Sequence, residues 1–456
     1  MNRGNTIKFA VYTAIASKAS SSILQLIALP LAARVLGREE FGIYSTVSLT
    51  IFMLTMLQFG MGPSLTRSIA EASAKNRRSK ERHYYQHSGL IIVSLSVLFS
   101  LILGSIFLTV PIETLFGSEY EKWADELRTA LLIGLGLLGI EIMMWHTDST
   151  RQGYLEAHVA NGFACIGNIL GAAIIIFGLR FFPSIPFLLL ATFLPNILAR
   201  LINTHFLWRK RPYLVAKRTK FSRETFKKLW IDGMSFSATT DLVFLVEVTV
   251  CGLLVARTLG PGEVAIYQVF VTITAIFRRI IETVGGPFWT ASINAKESSD
   301  GGWVKTAALR LFGFYGVFIT LMGIGMIGLG PVLVPMVYGS EFAIDRSLFA
   351  AQMCFLTLLG WRDVNRYILI GSGMLSDTVA PIIQGLVTSI ILGISGLYLA
   401  GMEWMYLGLA SGILLFPAWK LALMVLANLR QLSGESDAPL LSKSFHKQPK
   451  SESPTV

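Results

Sequence analysis

Long apolar runs recur along almost the whole chain, and they restrict the fold more than any other feature of the sequence. A helix needs about 20 mostly apolar residues to cross the hydrocarbon core of a bilayer. Twelve runs satisfy that length, and we number them span 1 to span 12 in chain order. Their predicted boundaries are 10–33, 41–66, 88–110, 127–147, 157–178, 185–207, 232–256, 264–292, 306–335, 344–370, 376–400 and 404–428.

The composition supports the same class of protein. Hydrophobic residues make up 53% of the chain, charged residues only 15%, and the mean hydropathy is +0.59, which lies outside the usual range of soluble domains. The strands of a membrane barrel would alternate apolar and polar residues over about ten positions, whereas these runs are long and continuous. The sequence therefore predicts an all-α polytopic membrane protein with twelve transmembrane helices.

The cysteines and histidines do not suggest a metal site. Cys165, Cys251 and Cys354 each lie in or at the end of an apolar run, without a Cys or His at ligand spacing. His83 and His87 belong to a basic loop, where we expect them to face solvent or lipid headgroups. A Walker-type phosphate loop is also missing from the sequence. We expect no cofactor other than a coupling ion, either a proton or sodium.

The charge of the loops predicts the orientation in the membrane. The formal net charge is +11, and the positive residues concentrate after span 2 and in the segment 209–228, which follows span 6. The loop 111–126, after span 3, is acidic. Because positive loops stay in the cytoplasm, both termini are predicted to be cytoplasmic. Membrane topology explains these charges, so we expect lipids and not nucleic acid as their partners.

A duplicated phrase divides the chain into two similar halves. The phrase "ARVLGREEFGIY" at 33–44 returns as "ARTLGPGEVAIY" at 256–267. Nearly the same offset relates Gly62-Pro63 to Gly286-Pro287, and "FGSEY" at 116–120 to "YGSEF" at 338–342. Since each half contains an even number of spans, the halves enter the membrane from the same side. We therefore expect two parallel six-helix lobes around a central cavity.

The repeat also predicts the domain boundaries. The N-terminal lobe covers 1–208, a basic cytoplasmic linker covers 209–228, and the C-terminal lobe covers 229–430. The polar segment 431–456 is predicted to be a disordered cytoplasmic tail. Two such lobes suit alternating access, in which they rock against each other and expose the cavity to one side at a time.

The repeated phrase itself is expected to be structural. Gly37 and Gly260 are suited to end a helix, because glycine accepts the backbone conformation that a helix end requires. Arg34 and Arg257 would then lie near the outer surface, where capping of the helix or contact with headgroups is favoured over substrate handling.

The chain resembles a known family in this phrase. An A-R-x-L-G-x-x-x-F-G-x-Y sequence after span 1, Phe59-Gly60 in span 2, a basic loop and twelve spans are similar to the polysaccharide transporter family. These are the O-antigen and exopolysaccharide flippases of the multidrug/oligosaccharidyl-lipid/polysaccharide (MOP) superfamily. The resemblance implies transfer of a polyprenyl-pyrophosphate-linked oligosaccharide from the inner to the outer leaflet of a bacterial plasma membrane. Polysaccharide polymerase and chain-length machinery are candidate partners.

The chain departs from the family at one position. Many members have an acidic residue immediately before the F-G pair, where this chain has Gln58. A coupling role for a carboxylate at that position therefore does not carry over.

Charged residues inside the apolar spans are the candidate site, because a charge at the bilayer centre is costly unless it faces a partner or a wet cavity. A pyrophosphate needs fixed cations, and guanidinium groups bind its oxygens bidentately. Trp145 is a candidate for stacking on sugars, although packing is commoner for a tryptophan in a membrane helix. The predicted cargo-binding residues are Arg278, Arg279, Arg362, Arg366, Arg151 and Trp145.

A second set of buried charges is predicted to couple transport to a proton or sodium ion. Its members are Lys18, Asp241, Glu247, Glu282, Asp148 and Glu141. For both sets the alternative is that the charges form internal ion pairs, such as Arg279 with Glu282 and Arg366 with Asp363.

Two other classes of function are weighed against the flippase. An ion-coupled multidrug antiporter of the same superfamily is the main alternative, but an acidic cavity is expected for drug cations, and the candidate residues here are rich in arginine. A membrane enzyme such as a glycan polymerase is disfavoured, because the outer loops are short and a six-plus-six repeat does not fit it. We therefore expect a transporter and not an enzyme.

Overall fold

The computed structural model describes the backbone of most of the chain. The described ranges are 12–13, 16–53, 61–217, 219–297 and 301–432. Side chains within these ranges are described except at 232–242, 286–287, 289–291, 293–297, 301 and 375. The motif residues Phe59 and Gly60, the departure at Gln58 and the predicted tail from 433 onward lie outside the described residues.

The described residues form helices and no strand, and the predicted all-α fold is confirmed. Each predicted span corresponds to helical structure. The bounds, from span 1 to span 12, are Ala16–Leu36; Arg38–Phe52 with Met61–Ala74; Arg78–Thr109; Ala124–Gly153; Ala157–Gly178; Ile185–Lys210; Arg223–Leu245 with Val246–Val250 and Cys251–Leu259; Pro261–Glu297; Gly301–Tyr338; Arg346–Gly371; Leu375–Ala400; and Met402–Ile413 with Leu414–Ala418 and Trp419–Leu432.

Nine of these helices, within the described part of the chain, are long and apolar enough to cross a membrane. The other three are spans 2, 7 and 10. Span 2 is interrupted by the undescribed residues 54–60, and span 7 contains the undescribed side chains 232–242. Span 10 is described throughout, but Arg362, Asp363 and Arg366 lower its apolar character.

The two halves share a backbone irregularity as well as a sequence phrase. A single π-helical turn occurs at Leu24–Ala28 in span 1 and at Val246–Val250 in span 7, at matching places in the repeat. Both spans then end at the predicted glycines, with φ values of 81° at Gly37 and 82° at Gly260. Glycine adopts positive φ without the steric penalty of a side chain, so the predicted role of both residues is confirmed.

The lobes meet closely at the end where span 2 begins, which the predicted topology places outside. Span 2 of the first lobe and span 8 of the second form the most extensive contact between them. A Cβ atom built on Gly42 would lie only 1.9 Å from the carbonyl oxygen of Pro261, so the two backbones touch without an intervening side chain. The lobes are therefore in direct contact at this end.

The segment between spans 6 and 7 folds back over the start of span 3. Gln86 donates to the carbonyl oxygens of Leu214 (2.9 Å) and Lys217 (2.8 Å), and it accepts from the backbone N–H of Thr219 (2.8 Å). His87 accepts from the backbone N–H of Ser222 (2.8 Å). The connection is therefore docked by specific hydrogen bonds to the first turns of span 3.

This docking overturns the expectation for one of the two histidines. His87 is only 3% exposed, and its second ring nitrogen bonds the carbonyl oxygen of His83 at 2.8 Å. The expectation of a solvent-facing ring was wrong for His87, because the connection between spans 6 and 7 covers it. His83 is hydrogen-bonded to Thr225 at 3.0 Å but stays partly exposed, as expected.

A buried carboxylate stabilises the end of the first lobe at which spans 4, 5 and 6 join. Glu156 forms ion pairs with Lys210 (2.7 Å), Arg211 (2.8 Å) and Arg151 (2.9 Å). Burial alone would raise the pKa of Glu156, but hydrogen bonds and charge attraction from Arg211 and Lys210 outweigh it and lower the pKa to about 2. The carboxylate is therefore ionised at neutral pH and stabilises the junction of spans 4, 5 and 6.

Replacing Glu156 with Gln should lower the free energy of unfolding by about 3 kcal/mol at pH 7, because it leaves buried cations without their carboxylate. The folded-state pKa lies below the ordinary value of 4.5, so this stabilisation is complete above pH 4.5 and is lost as the pH falls toward 2. Thermal unfolding of purified protein across that pH range measures it. A wild-type advantage that persists at pH 2 would contradict the assignment.

Candidate functional site

A buried ion pair joins spans 7 and 10 in the second lobe. The guanidinium of Arg362 binds the carboxylate of Glu247 through two bonds, Nη1 to Oε1 at 2.6 Å and Nη2 to Oε2 at 3.0 Å. Glu247 lies on the π-helical turn, and Tyr267 donates to the carbonyl oxygen of Val248 on the same turn at 2.6 Å. This fork-to-fork geometry is the strongest form of such a pair, and both side chains are almost fully enclosed.

Asp363 connects this pair to two further arginines. Its carboxylate lies 3.7 Å from Arg362 Nε, 3.6 Å from Arg278 Nε and 3.9 Å from Arg366 Nε. Spans 8 and 10 are thus held together by one carboxylate among three guanidinium groups. We call Glu247, Arg278, Arg362, Asp363 and Arg366 the arginine cluster.

The rim of the arginine cluster is formed by span 8. Glu282, whose side chain is 44% exposed, lies 3.8 Å from Arg278. The guanidinium carbon of Arg278 also lies 4.2 Å from the ring centroid of Phe244, within the range of a cation–π contact. Arg278 is therefore held between a rim carboxylate, a buried carboxylate and an aromatic face.

A second group of cations lies where span 1 meets span 8, between the two lobes. Arg279 donates from Nη1 to the hydroxyl of Ser21 at 2.6 Å, and Lys18 donates to the hydroxyl of Thr283 at 3.3 Å. We call these four residues the seam. Among the described side chains, no carboxylate forms an ion pair with Lys18 or Arg279, so both cations are bound by neutral hydroxyl groups.

The first lobe contains a group with the opposite charge. Arg200 of span 6 binds Asp148 at 2.7 Å and lies 3.5 Å from Glu141, both on span 4. Asn203 donates to the other oxygen of Asp148 at 3.0 Å, and the guanidinium of Arg200 lies 5.7 Å from the ring centroid of Trp145. Two carboxylates therefore share one guanidinium. We call Glu141, Asp148 and Arg200 the acidic cluster.

The structure sorts the predicted residues into these groups. Arg278, Arg362, Arg366, Glu247 and Glu282 meet in or beside the arginine cluster, Arg279 and Lys18 lie in the seam, and Glu141, Asp148 and Trp145 surround Arg200. Asp241 belongs to the undescribed side chains.

Two expectations about individual residues change. The suggested pair of Arg279 with Glu282 is replaced by Arg278 with Glu282, whereas Arg366 and Asp363 do lie within ion-pair distance. Arg151 donates to the side chain and carbonyl of Asn203 at 2.5 and 3.0 Å as well as to Glu156, which also binds Arg211, and it forms no part of the arginine cluster. Its geometry fits a structural ion pair better than a cargo ligand.

Arg200 is the residue that sequence reasoning missed. It lies within the apolar run of span 6, in "ILARLIN". A charged residue inside an apolar span was the criterion that identified Arg278, and Arg200 meets the same criterion. Its importance is visible only from its position between Glu141 and Asp148.

Comparison with solved structures assigns the fold to a class of membrane transporters. An inward-facing multidrug resistance MATE family transporter of the MOP superfamily aligns with a TM-score of 0.75 at 17% identity, covering 93% of this chain and 99% of the other. An outward-facing MATE transporter gives 0.60 at 18% identity, covering 95% and 97%. A MOP superfamily transporter from Pyrococcus furiosus gives 0.66 at 18% identity, covering 94% and 97%. The chain thus has the two-lobed fold of these multi-pass membrane proteins.

The family follows from the sequence itself. The family model described as "Polysaccharide biosynthesis protein" matches residues 10–288, and the chain belongs to this family. The match covers spans 1 to 8, including the first lobe and both copies of the repeated phrase. A comparison with curated proteins found no match. The chain therefore combines membership of a polysaccharide biosynthesis family with a fold that membrane transporters have.

Replacing Arg362 with Ala should destabilise the protein by about 3–5 kcal/mol, because it leaves the carboxylate of Glu247 buried without its partner. Thermal unfolding of detergent-purified protein measures the loss. Replacing Glu247 with Ala as well should recover most of it. Arg67→Ala, which removes an exposed pair with Glu71, is the control and should cost less than about 1 kcal/mol. A double variant no more stable than Arg362→Ala would disprove the coupling.

Proposed function

We propose that this protein is a flippase that moves a polyprenyl-pyrophosphate-linked oligosaccharide from the inner to the outer leaflet of a bacterial plasma membrane, with both termini in the cytoplasm. The observation that carries the proposal is a pair of cations at the contact between the lobes. Arg279 and Lys18 of the seam are bound by the hydroxyl groups of Ser21 and Thr283, and among the described side chains no carboxylate forms an ion pair with either of them.

These two cations match the charge of the proposed cargo. A pyrophosphate that joins a lipid to a sugar carries a negative charge on each of its two phosphates. Arg279 and Lys18 can neutralise these charges in a low-dielectric environment, where an uncompensated charge is costly. Membership of the polysaccharide biosynthesis family supports the same class of cargo.

Within this region the seam is the proposed contact site for the phosphates. The arginines of the arginine cluster are engaged by carboxylates, whereas Arg279 and Lys18 are held by the hydroxyls of Ser21 and Thr283. A phosphate oxygen can replace a hydroxyl acceptor and gains a charge-assisted bond by doing so. Because the seam joins the two lobes, binding there would shift the balance between their arrangements.

The acidic cluster is the proposed coupling site. Glu141 and Asp148 share the single guanidinium of Arg200, so the acidic cluster itself has one carboxylate more than it has cations, and Arg151 is connected to Asp148 only through Asn203. A proton or a sodium ion bound there would complete the neutralisation, and its release would restore the negative charge. Glu247 is a weaker coupling candidate, since Arg362 already engages both of its oxygens.

The multidrug antiporter is the alternative within the same fold. A drug cation would require a net negative site, whereas the two charged side chains of the seam are both cations. The Pyrococcus furiosus transporter is described as having a binding pocket of reverse polarity that suggests a different function. The positive charge of the seam is likewise our reason for favouring an anionic cargo over a cationic drug.

The proposal is tested by the sidedness of the glycolipid. Cells that lack this protein should accumulate the lipid-linked oligosaccharide on the inner leaflet and lose their surface polysaccharide. Normal amounts of both, together with increased sensitivity to cationic drugs, would favour the antiporter instead. Polysaccharide polymerase and chain-length machinery are the proposed partners that would act on the oligosaccharide after it is flipped.

Arg279→Gln and Lys18→Gln should each reduce transport about tenfold or more, because each removes a charge-assisted bond to phosphate. Arg279→Lys should retain more activity than Arg279→Gln, since it keeps the charge. The measurement is glycolipid flipping per amount of membrane protein. Arg209→Gln, which removes an exposed cation at the inner end of span 6, is the control. Near-normal flipping in the Arg279→Gln, Lys18→Gln double variant would eliminate the seam as the phosphate site.

Asp148→Asn should weaken the response of transport to an imposed ion gradient, because it removes the surplus carboxylate while Glu141 remains to pair with Arg200. Flipping in proteoliposomes with a proton gradient or a sodium gradient identifies the ion. Glu282→Gln, at the rim of the arginine cluster, should leave the gradient response intact. An unchanged response in Asp148→Asn would place the coupling site elsewhere.

A further inference from the structure

The repeated phrase of the first lobe packs against a second repeated motif in the other lobe. Gly37 ends the first A-R-x-L-G copy, and a Cβ atom built on it would lie 3.7 Å from Oε2 of Glu341. Glu341 belongs to the "YGSEF" motif of the second lobe, and Gly339 of that motif faces the side chain of Arg34. The first phrase thus contacts the Gly-Ser-Glu turn of the opposite lobe.

An equivalent contact occurs with the roles of the two lobes exchanged. Gly260 ends the second copy, and a Cβ atom built on it would lie 3.2 Å from the side chain of Glu119 in the "FGSEY" motif of the first lobe. A Cβ atom on Gly117 of that motif would come within 2.6 Å of the carbonyl oxygen of Arg257. Gly117 and Gly339 both have positive φ values, 102° and 115°. The repeat therefore builds two equivalent contacts between the lobes, which we call the outer clasp.

One ion pair breaks the symmetry of the outer clasp. Arg38, next to Gly37, corresponds to Pro261 in the second copy. Its side chain binds Glu263 (2.7 Å) and the carbonyl oxygen of Gly262 (2.9 Å), and its backbone N–H donates to Glu341 (3.2 Å). Arg38 therefore anchors the first lobe to two different segments of the second.

We propose that the outer clasp is the gate on the outer side of the transporter and that Arg38 is its latch. Opening to the outside requires the two Gly-Ser-Glu contacts and the Arg38 bonds to separate together, because all of them join one lobe to the other. The strength of the latch sets the share of molecules that are open outward. This role goes beyond the proposed function and holds for any cargo.

The test measures access from the outside without any cargo. Leu49 of span 2 is only 4% exposed. Its Cδ1 atom would lie 2.7 Å from a Cβ atom built on Gly252 of span 7, so Leu49 packs against the other lobe. Leu49→Cys is placed in a background without the native thiols: Cys165→Ser, Cys251→Ala and Cys354→Ser. The rate of labelling by a membrane-impermeant maleimide, added outside intact cells, reports opening of the outer side.

Arg38→Glu should increase the labelling rate at least about fivefold, because it removes one partly exposed charge pair and places a second carboxylate beside Glu263. Adding Glu263→Arg should bring the rate back toward the starting value by restoring the pair in reverse. Lys122→Gln is the matched control: Lys122 binds Glu39 at 2.7 Å on the same face, but within one lobe. An unchanged rate in Arg38→Glu, or an equal increase in Lys122→Gln, would refute the latch.

A second variant tests the gate without changing charge. Gly42→Ala places a methyl group 1.9 Å from the carbonyl oxygen of Pro261, so the lobes cannot close as they do here, and labelling should accelerate. Gly136→Ala is its control, since nothing lies within 4 Å of a Cβ atom there. A slow rate in Gly42→Ala would overturn the gate even if glycolipid flipping is confirmed. Conversely, fast labelling in both Arg38→Glu and Gly42→Ala, with a slow rate in the two controls, would support the gate whatever the cargo is.

Discussion

The ion pair between Glu247 and Arg362 is the interaction on which the second lobe depends. A carboxylate and a guanidinium are stable inside a bilayer only when each satisfies the other, and this pair fixes spans 7 and 10 at a single register. Asp363, the neighbour of Arg362, then holds span 8 through Arg278. With span 8 fixed in rotation, Arg279 is directed away from the cluster and toward span 1, where the lobes meet.

The two lobes share a backbone plan but differ in charge. In the first lobe, Glu141 and Asp148 compete for one guanidinium, and in the second, three guanidinium groups share two buried carboxylates. A duplicated fold therefore presents a negative group on one side of the molecule and a positive group on the other. Under the proposed function, this division would separate anion binding from ion coupling, and rocking of the lobes would change the distance between the two groups.

The features that the two halves have in common are mostly those that shape the backbone. Gly37 and Gly260 end equivalent helices, and each packs on a Gly-Ser-Glu turn of the other lobe. Side chains at the same contact differ between the halves, and Arg38 has Pro261 as its counterpart. Symmetric backbone contacts let the lobes close in one defined arrangement, while unsymmetrical side chains bias how readily they open.

The sequence alone determined the twelve spans, the duplication and the glycine helix ends. Hydropathy, repeated sequence motifs and glycines that permit positive φ can all be recognised within short segments of the chain. It also identified most of the buried charges, since each stands out within an apolar run. Only the tertiary structure decided their partners: Glu282 pairs with Arg278 and not with Arg279, Arg200 unites Glu141 with Asp148, and His87 is covered by the linker. The physical reason is that pairing depends on the rotation of each helix and on which helices meet, and neither is encoded in the periodicity of a single span.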